Sequence, residues 1–151
     1  MLAVPQVRLA VPSDARSIAV LSRDFIEHGL GWSWNQARIL RAIRSKSVNV
    51  AVVHERGCIV AFGIMEYGED TAHLGLLGVQ PKLQGQGLGA HLVRWLEECA
   101  ITAGIRVIRV EARADNPKAI AFYQKQGFHL AGRVSGYYRG VIDTVRLEKG
   151  L

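Results

Sequence analysis

The sequence predicts an α/β (α+β) domain of about seven strands and four helices, and three observations support this prediction. Apolar segments that alternate like strands are interleaved with segments whose apolar residues recur at helical spacing. Two of the strand segments, Val48–His54 and Cys58–Tyr67, are separated by a short turn at Glu55–Gly57, which indicates a hairpin. A glycine-rich turn, Gln84–Ala90, joins an apolar strand to an amphipathic helix.

Length, composition and charge limit what such a domain can be. A chain of 151 residues is expected to form a single domain, residues 1–151, and to bury about 70% of the surface that its unfolded chain exposes. No apolar run approaches about 18 residues and no basic-then-apolar leader is evident, so we expect a cytoplasmic protein with no membrane partner. The formal charge is +6, but the arginines are scattered. We therefore expect an anionic cofactor and no nucleic-acid partner.

The two cysteines point away from a metal site. Cys58 and Cys99 stand in apolar or helical sequence, without CxxC spacing and without a nearby pattern of histidine ligands. We expect both to be free, buried thiols, and we expect no metal.

The first third of the chain predicts one strand and one helix. Val7–Ala10 alternates and ends before Pro12, which indicates a strand. Ser13 or Asp14 can cap the helix that follows, which should end near Gly29. Its apolar positions at helical spacing are Ile18, Leu21, Phe25 and Ile26.

A second helix is predicted from Trp34 to about Ser45, with Ser33 as its N-cap. Its apolar side consists of Ile39, Leu40 and Ile43. Trp32 and Trp34 allow two interpretations. They could line the pocket of an acceptor, or they could seal the helix pair onto the sheet.

The central strand, His73–Val79, contains two glycines. Because glycine inside a strand often marks a bulge or a close backbone approach, we expect a kink at Gly78 and separation from a neighbouring strand there. The remaining elements follow from their breakers and caps. They are a helix from Leu88 to about Ala103, a strand at Ile105–Glu111, a helix capped by Asn116 and ended by Gly127, and closing strands at Phe128–Val134 and about Tyr137–Leu147.

The glycine turn predicts a phosphate site, because glycines before a helix leave its first N–H groups available to an anion. One interpretation is dinucleotide binding, since Gly85, Gly87 and Ala90 have the spacing of that fingerprint and Glu111 ends the next strand. Against it, five residues, Gln80 to Gln84, intervene between the strand and the first glycine. That fingerprint places its glycines directly at the end of the strand.

The other interpretation rests on two separate motifs. Val79-x-Pro81-x-x-Gln84-Gly85-x-Gly87-x-Gly89 resembles the acetyl-CoA signature of the GNAT-superfamily N-acetyltransferases, and Asn116–Phe128 is similar to the C-terminal cofactor segment of that superfamily. Within it, Glu111-Ala-Arg113-Ala114-x-Asn116 followed by Tyr123 is similar to the bacterial ribosomal-protein alanine N-acetyltransferases. The resemblance implies a mixed, mostly antiparallel sheet in which the kinked strand and its neighbour separate around the pantetheine arm.

The resemblance also implies which residues bind acetyl-CoA. The strand backbone at Leu77 and Val79 would pair with the pantetheine, and the N–H near Val79 would stabilise the oxyanion. Asn116 and Tyr123 would also contact this arm, although N-capping alone explains Asn116. The diphosphate would lie on the glycine turn, with a donor from Gln84, unless that side chain only caps its own turn. The turn residues implied are Gln84, Gly85, Gln86, Gly87, Leu88, Gly89 and Ala90.

Acetyl transfer to an amine requires a base for the ammonium and an acid for the leaving thiolate. Tyr123 is the candidate acid; the alternative is a tyrosine that only packs. Glu111 is the first candidate base, His73 the second and Glu66, acting through a water molecule, the third.

The expected function is therefore acetyl transfer from acetyl-CoA to a primary amine, either of a small molecule or of a peptide N-terminus. A non-catalytic acyl-CoA sensor with the same phosphate site is the alternative, and a homodimer is possible. Acceptor choice is expected to depend on Phe25–Ser45 and Arg133–Gly140, with Trp32, Trp34, Tyr137 and Tyr138 as candidate walls.

Overall fold

A computed structural model describes residues 5–26, 33–138 and 142–151 of the chain. Within these residues, strands and helices alternate in the predicted order. The strands are β1 (Val7–Leu9), β2 (Val48–Glu55), β3 (Cys58–Tyr67), β4 (Thr71–Val79), β5 (Val107–Arg113), β6 (His129–Tyr138) and β7 (Ile142–Gly150). The α-helices are α1 (Ala15–Leu21), α2 (Gln36–Arg44), α3 (Leu88–Thr102) and α4 (Pro117–Lys125).

The described strands form one seven-stranded sheet in the order β1-β2-β3-β4-β5-β7-β6. Neighbouring strands are antiparallel except β4 and β5, which are parallel because α3 carries the chain back to the end of the sheet at which β4 begins. The predicted mixed, mostly antiparallel sheet is therefore confirmed. A doubly wound parallel sheet, which dinucleotide binding requires, is not the architecture of this chain.

Helices cover both faces of the sheet. Helices α3 and α4 pack on one face, where the buried stripe of α3, including Leu92 and Leu96, meets Ile108 and Leu147 of the sheet. Helices α1 and α2 pack on the other face, against a second cluster that includes Val52, Phe62 and Ile64 of β2 and β3. Helix α1 contacts β3 and helix α2 contacts β2. On the same face, Arg109 and Glu111 of β5 and Arg146 of β7 line an open cavity.

The bulge in β4 lies at Gly75 and not at Gly78, so the predicted position of the kink was wrong. Ile64 pairs with Leu76 while Met65 pairs with Leu74, which leaves Gly75 as the extra residue of β4. The bulge places Leu74 and Leu76, two residues apart, on opposite faces of the sheet. Leu74 belongs to the cluster under α3, and Leu76 belongs to the cluster under α1 and α2. Gly78 remains paired with Phe62.

Gly78 is required for a different reason, which is close packing. A Cβ atom at this position would lie 2.6 Å from Ile26 Cδ1 and 2.8 Å from Phe62 Cε1, distances that real Cβ atoms do not adopt. The π-helical segment Ser22–Ile26 follows α1, and its last residue packs directly on β4 at Gly78. This contact is non-local, which is why the strand sequence alone suggested a kink.

Smaller differences concern element ends and exposure. Helix α2 begins at Gln36 and its N-cap is Asn35, whose side-chain oxygen accepts from the Arg38 N–H, so Ser33 is not the cap. Strand β5 runs from Val107 to Arg113, two residues later than predicted at each end. Cys58 is exposed at the start of β3 and Cys99 is half-buried; both are free, but the prediction that both are buried was wrong.

Candidate active site at the separation of β4 and β5

Strands β4 and β5 separate after four residue pairs. Thr71–Leu74 pairs with Val107–Val110, and no pairing between the two strands follows in the described residues. Beyond this point β4 stays with β3 as far as Val79, while β5 stays with β7 as far as Arg113. The bulge at Gly75 begins where the separation begins. A gap therefore opens between two strands that are each held on their other side.

Backbone groups of Val79 face this gap. The Gln80 N–H donates to the carbonyl of Val60 on the β3 side at 2.8 Å, and successive residues of a strand direct their backbone groups to opposite sides. The Gln84 side-chain amide reaches the Val79 carbonyl at 3.3 Å, which agrees with this direction. Leu77 shares the alternation of Val79, so both implied pantetheine-binding residues offer backbone to the gap.

The glycine turn follows the gap and leaves helix N–H groups without an internal partner. Gly85 and Gly87 adopt φ values of 82° and 86°, which L side chains rarely adopt, and a Cβ atom at either position would meet nothing within 4 Å. Helix α3 begins at Leu88 with Gly87 as its N-cap and no side-chain cap. Its first internal bond is from the His91 N–H to the Gly87 carbonyl. The N–H groups of the three residues between, Leu88, Gly89 and Ala90, are the helix's orphan donors.

Helix α4 connects to the glycine turn. Asn116 caps this helix, with its side-chain oxygen accepting from the Ala119 N–H at 3.1 Å. Lys118, in the first turn of the helix, donates to the Gln84 side-chain oxygen at 3.5 Å. Gln84 thus uses both ends of its amide within the protein. Lys118 was not among the predicted residues, although its place beside Asn116 in the second motif was a usable signal.

His73 and Glu111 form a hydrogen-bonded pair at the point of separation. Nε2 of His73 bonds a carboxylate oxygen of Glu111, so two residues predicted as competing bases are in direct contact. The Glu111 hydrogen bond raises the pKa of His73 above its ordinary value of 6.5, against the opposing effect of burial. The same bond lowers the pKa of Glu111, again against burial. A carboxylate only accepts, so Nε2 carries the proton and Nδ1 is the free nitrogen of the neutral ring.

A cavity of about 430 Å³ surrounds this pair on the face of α1 and α2. Glu66 pairs in register with His73, and Arg146 pairs in register with Glu111, so four charged or titratable groups lie on adjacent strands. Arg146 Nε is 3.7 Å from Glu111 Oε1. Arg109 also lines the cavity, but its Nε donates to Glu148 at 3.1 Å.

Tyr123 lies on the opposite face of the sheet. Its ring is 8% exposed and makes edge-to-face contacts with Phe122 and Phe128, at centroid distances of 5.2 and 5.6 Å. Phe122 in turn packs against Gly89, where a Cβ atom would lie 3.2 Å from the ring. Tyr123 is therefore fixed by packing next to the start of α3. It and the His73–Glu111 pair lie on opposite faces of the sheet.

The predicted acceptor walls are only partly described. Trp34 is 8% exposed, packs in the cluster under α1 and α2, and carries the Arg38 guanidinium 3.6 Å above its ring centroid. This position fits the interpretation in which it seals the helix pair onto the sheet. Trp32 and the side chains of Tyr137 and Tyr138 lie outside the described part of the structure.

Arg109 and Arg146 were missed by the sequence analysis. Both lie in segments predicted as strands, where Arg109 alternates with apolar residues and Arg146 lies between Val145 and Leu147. This alternation was the available signal. The described residues contain no group of three or more His, Cys, Asp and Glu side chains placed to hold a metal ion. Among the described helices, none is long and apolar enough to cross a membrane.

Two bacterial N-acetyltransferases are similar to this chain in sequence. The ribosomal protein bS18-alanine N-acetyltransferase of Escherichia coli is 36% identical over 84 residues, which are 56% of this chain and 57% of that protein. The chain therefore matches only a little over half the length of that relative. The N-alpha-acetyltransferase RimI of Mycobacterium tuberculosis is 31% identical over 110 residues, 70% of this chain and 68% of that protein.

Solved structures share the fold. Ard1 from Thermoplasma volcanium superposes with a TM-score of 0.88 at 23% identity, covering 99% of both chains. The PaiA N-acetyltransferase from Thermoplasma acidophilum, solved in complex with coenzyme A, has a TM-score of 0.84 at 17% identity, covering 99% of this chain and 100% of that one. At these identities the likeness shows the fold alone. The model of the acetyltransferase (GNAT) family matches residues 18–128, and the chain belongs to this family.

Proposed function

We propose that this chain is an N-acetyltransferase that moves the acetyl group of acetyl-CoA to a primary amine. The observation that carries the proposal is the position of the His73–Glu111 pair. It lies in an open cavity at the point where β4 and β5 separate, and the gap beyond it leads to the glycine turn. Acyl transfer from a nucleotide thioester requires three features, and this chain has candidates for each. They are a proton-accepting pair, a gap lined by strand backbone and an anion site.

The residues present fit acetyl-CoA. The orphan N–H groups at the start of α3, together with the open space around Gly85 and Gly87, provide a site for its diphosphate. Lys118 adds a positive charge beside the turn. Backbone groups of Val79 in the gap would pair with the pantetheine arm. Bound acetyl-CoA supplies the thioester whose carbonyl carbon the amine attacks.

The proton steps are assigned to residues on opposite faces. Nδ1 of His73 accepts the proton of the acceptor ammonium, while Glu111 holds the ring in the required tautomer and stabilises the imidazolium. As the new C–N bond forms and the C–S bond breaks, Tyr123 donates a proton to the departing sulfur from the face of α4. Glu66 is the alternative base on the same cavity, through an ordered water molecule.

The proposed acceptor is the α-amine of a peptide. The names of the two bacterial relatives specify an alanine N-acetyltransferase and an N-alpha-acetyltransferase, which supports an α-amine for this chain. Two free cysteines, one of them exposed, support a reducing compartment, and the cytoplasm is the proposed location.

A turnover screen tests the proposal. Purified protein is incubated with acetyl-CoA and N-terminal peptides, amino acids, polyamines or aminoglycosides, and release of the free thiol is measured. We expect turnover with peptides whose N-terminus is free and none with the same peptides blocked at the N-terminus. Tight acetyl-CoA binding without turnover across all acceptors would contradict catalysis and favour an acyl-CoA sensor.

A further inference from the structure

Arg146 lines the cavity, and its side chain forms no hydrogen bond with any residue that the structure describes. Its Nε is buried and has no hydrogen-bond partner within the described part of the chain. The nearest carboxylate oxygen, Glu111 Oε1, is 3.7 Å away, which is an ion-pair distance but too long for a hydrogen bond. The Arg146 side chain is nevertheless 41% exposed. Because Nε itself is covered, the donors that this guanidinium can offer to the cavity are its Nη groups, which form no hydrogen bond with any described residue.

The second arginine of the cavity differs in this respect. Arg109 donates from Nε to Glu148 at 3.1 Å, so a protein carboxylate already engages it. In native proteins the donors of an arginine that stands beside a carboxylate are usually engaged, as those of Arg109 are. For Arg146 the candidate ligand atom is an oxygen, because guanidinium groups donate and do not accept.

The strand register places Arg146 beside Glu111. Arg146 on β7 lies directly opposite Glu111 on β5, and both point to the same face. Cβ atoms of such a pair are about 5 Å apart. His73, Glu111 and Arg146 line one cavity, so an acceptor whose amine lies at His73 extends over Glu111 toward Arg146. In an α-amino carbonyl compound the carbonyl oxygen is three bonds from the nitrogen and is the first acceptor oxygen along this path.

We propose that Arg146 binds the oxygen adjacent to the reacting amine, so that the enzyme selects α-amino carbonyl acceptors over simple alkylamines. The inference rests on the proposed acetyl transfer. Acetyl transfer itself does not need the contact between Arg146 and this oxygen, because an alkylamine offers the same nucleophilic nitrogen without the oxygen. The contact would therefore act on acceptor choice.

Two sources offer this chemistry: the first carbonyl of a peptide and the carboxylate of a free amino acid. Glu66 faces the same cavity, is exposed, and forms no ion pair with any described residue. Its carboxylate repels a second anion, whereas a neutral carbonyl is unaffected. The peptide is therefore the favoured source, and the free amino acid is a separate arm of the test.

The experiment compares alanine amide, alanine and isopropylamine as acceptors for the wild-type chain, Arg146→Met and Arg146→Lys. Acceptors are compared at equal concentrations of unprotonated amine, since the amine pKa values differ by about two units. We expect Arg146→Met to lower kcat/KM for alanine amide about ten- to a hundredfold, mainly through KM, because a charged hydrogen bond is lost. Isopropylamine should change less than about threefold. Arg146→Lys should restore part of the loss.

Controls separate this role from an electrostatic effect on His73. Arg56→Met removes an exposed arginine in the β2–β3 turn, at the opposite end of β3, and should change neither acceptor. If Arg146→Met lowers both acceptors equally, Arg146 acts through His73 and Glu111, and the acceptor contact is wrong. A wild-type enzyme that uses isopropylamine as well as alanine amide would also overturn the inference while leaving acetyl transfer intact.

Binding provides a readout that does not depend on turnover. Alanine amide and isopropylamine are titrated into the protein while the His73 ring signals are followed by NMR. Arg146→Met should weaken the binding of alanine amide and leave that of isopropylamine unchanged. If the wild-type protein acetylates neither these compounds nor any peptide, the proposed function fails, and this titration still decides whether Arg146 recognises the carbonyl. Equal effects of Arg146→Met on the binding of both compounds would refute that recognition.

Discussion

His73 Nε2 and a carboxylate oxygen of Glu111 share a hydrogen bond that joins β4 to β5 where the two strands separate. His73 belongs to the last paired residues of β4, and Glu111 is the first residue of β5 beyond the pairing. The bond leaves Nδ1 of His73 beside the bulge, 3.8 Å from where a Cβ of Gly75 would lie. The free nitrogen is therefore next to the gap.

The first prediction concerns the pKa of His73 in Glu111→Gln. The substitution removes the charge that raises this pKa most, while burial and the positive charge of Arg146 continue to lower it. Glu66 still raises it, so we expect the pKa of His73, measured by NMR titration, to fall below its wild-type value by the share that Glu111 contributes. The acidic limb of the pH–rate profile should move to lower pH with it, because the base is then unprotonated at lower pH.

The matching variants identify the base. Glu55→Gln, an exposed carboxylate at the far end of β2, should leave the pKa of His73 unchanged. His73→Gln should abolish the acidic limb altogether and lower the plateau rate about 10²–10⁴-fold. If Glu111→Gln abolishes the limb while His73→Gln only displaces it, Glu111 is the base and His73 its orienting partner.

The second prediction concerns Tyr123→Phe. The Tyr123 ring is held by edge-to-face packing with Phe122 and Phe128, and phenylalanine preserves these contacts. We expect the variant to fold and the acetyl-CoA affinity, measured by calorimetry, to be retained. Turnover should fall about 10²–10⁴-fold, because the thiolate then leaves without a proton donor. Undiminished turnover in the folded variant would show that Tyr123 only packs.

Much of the fold follows from local sequence, because caps, breakers and periodicity act within a few residues. The start of α3 at Leu88 and the cap at Asn116 are where the sequence predicts them. The bulge could not be placed in the same way. Two glycines of β4 are equivalent by sequence, and only the register with β3 and the packing of Ile26 on Gly78 distinguish them.

Some features of the candidate site also follow from local sequence, whereas others depend on strand pairing. His73 and Glu111 are recognisable as single candidates from residue type and strand position, but their contact depends on the parallel pairing of β4 with β5. Sequence therefore presented them as competing bases. Arg146 enters the site from β7, the last strand, through a pairing with β5 that no local pattern encodes.

The third prediction tests the packing of Gly78. In Gly78→Ala the new methyl group would overlap Ile26 and Phe62, so one of them must move. We expect a loss of about 1–3 kcal/mol in the free energy of unfolding, measured by denaturant titration. Gly132→Ala is the control, because a Cβ atom there meets nothing within 4 Å and the φ value is not positive. An equal effect in both variants would contradict the packing explanation.

The fourth prediction separates the strain of the glycine turn from its function. Gly87 and Gly57 adopt similar positive φ values, 86° and 78°, and a Cβ atom at either position would be in open space. Alanine at each position should therefore cost a similar free energy of unfolding, about 1–2 kcal/mol, because the left-handed conformation crowds its Cβ. Stability alone cannot distinguish the two glycines.

Cofactor affinity distinguishes them. Gly87 immediately precedes the orphan N–H groups of α3, whereas Gly57 lies in the β2–β3 turn and precedes a strand. In Gly87→Ala a methyl group enters the space proposed for the diphosphate, and relaxation of the turn moves the donors. We expect its acetyl-CoA affinity, measured by calorimetry, to fall about tenfold or more, a loss of at least about 1.4 kcal/mol, while Gly57→Ala binds like the wild-type chain. Equal affinities in the two variants would mean that the diphosphate does not lie on this turn.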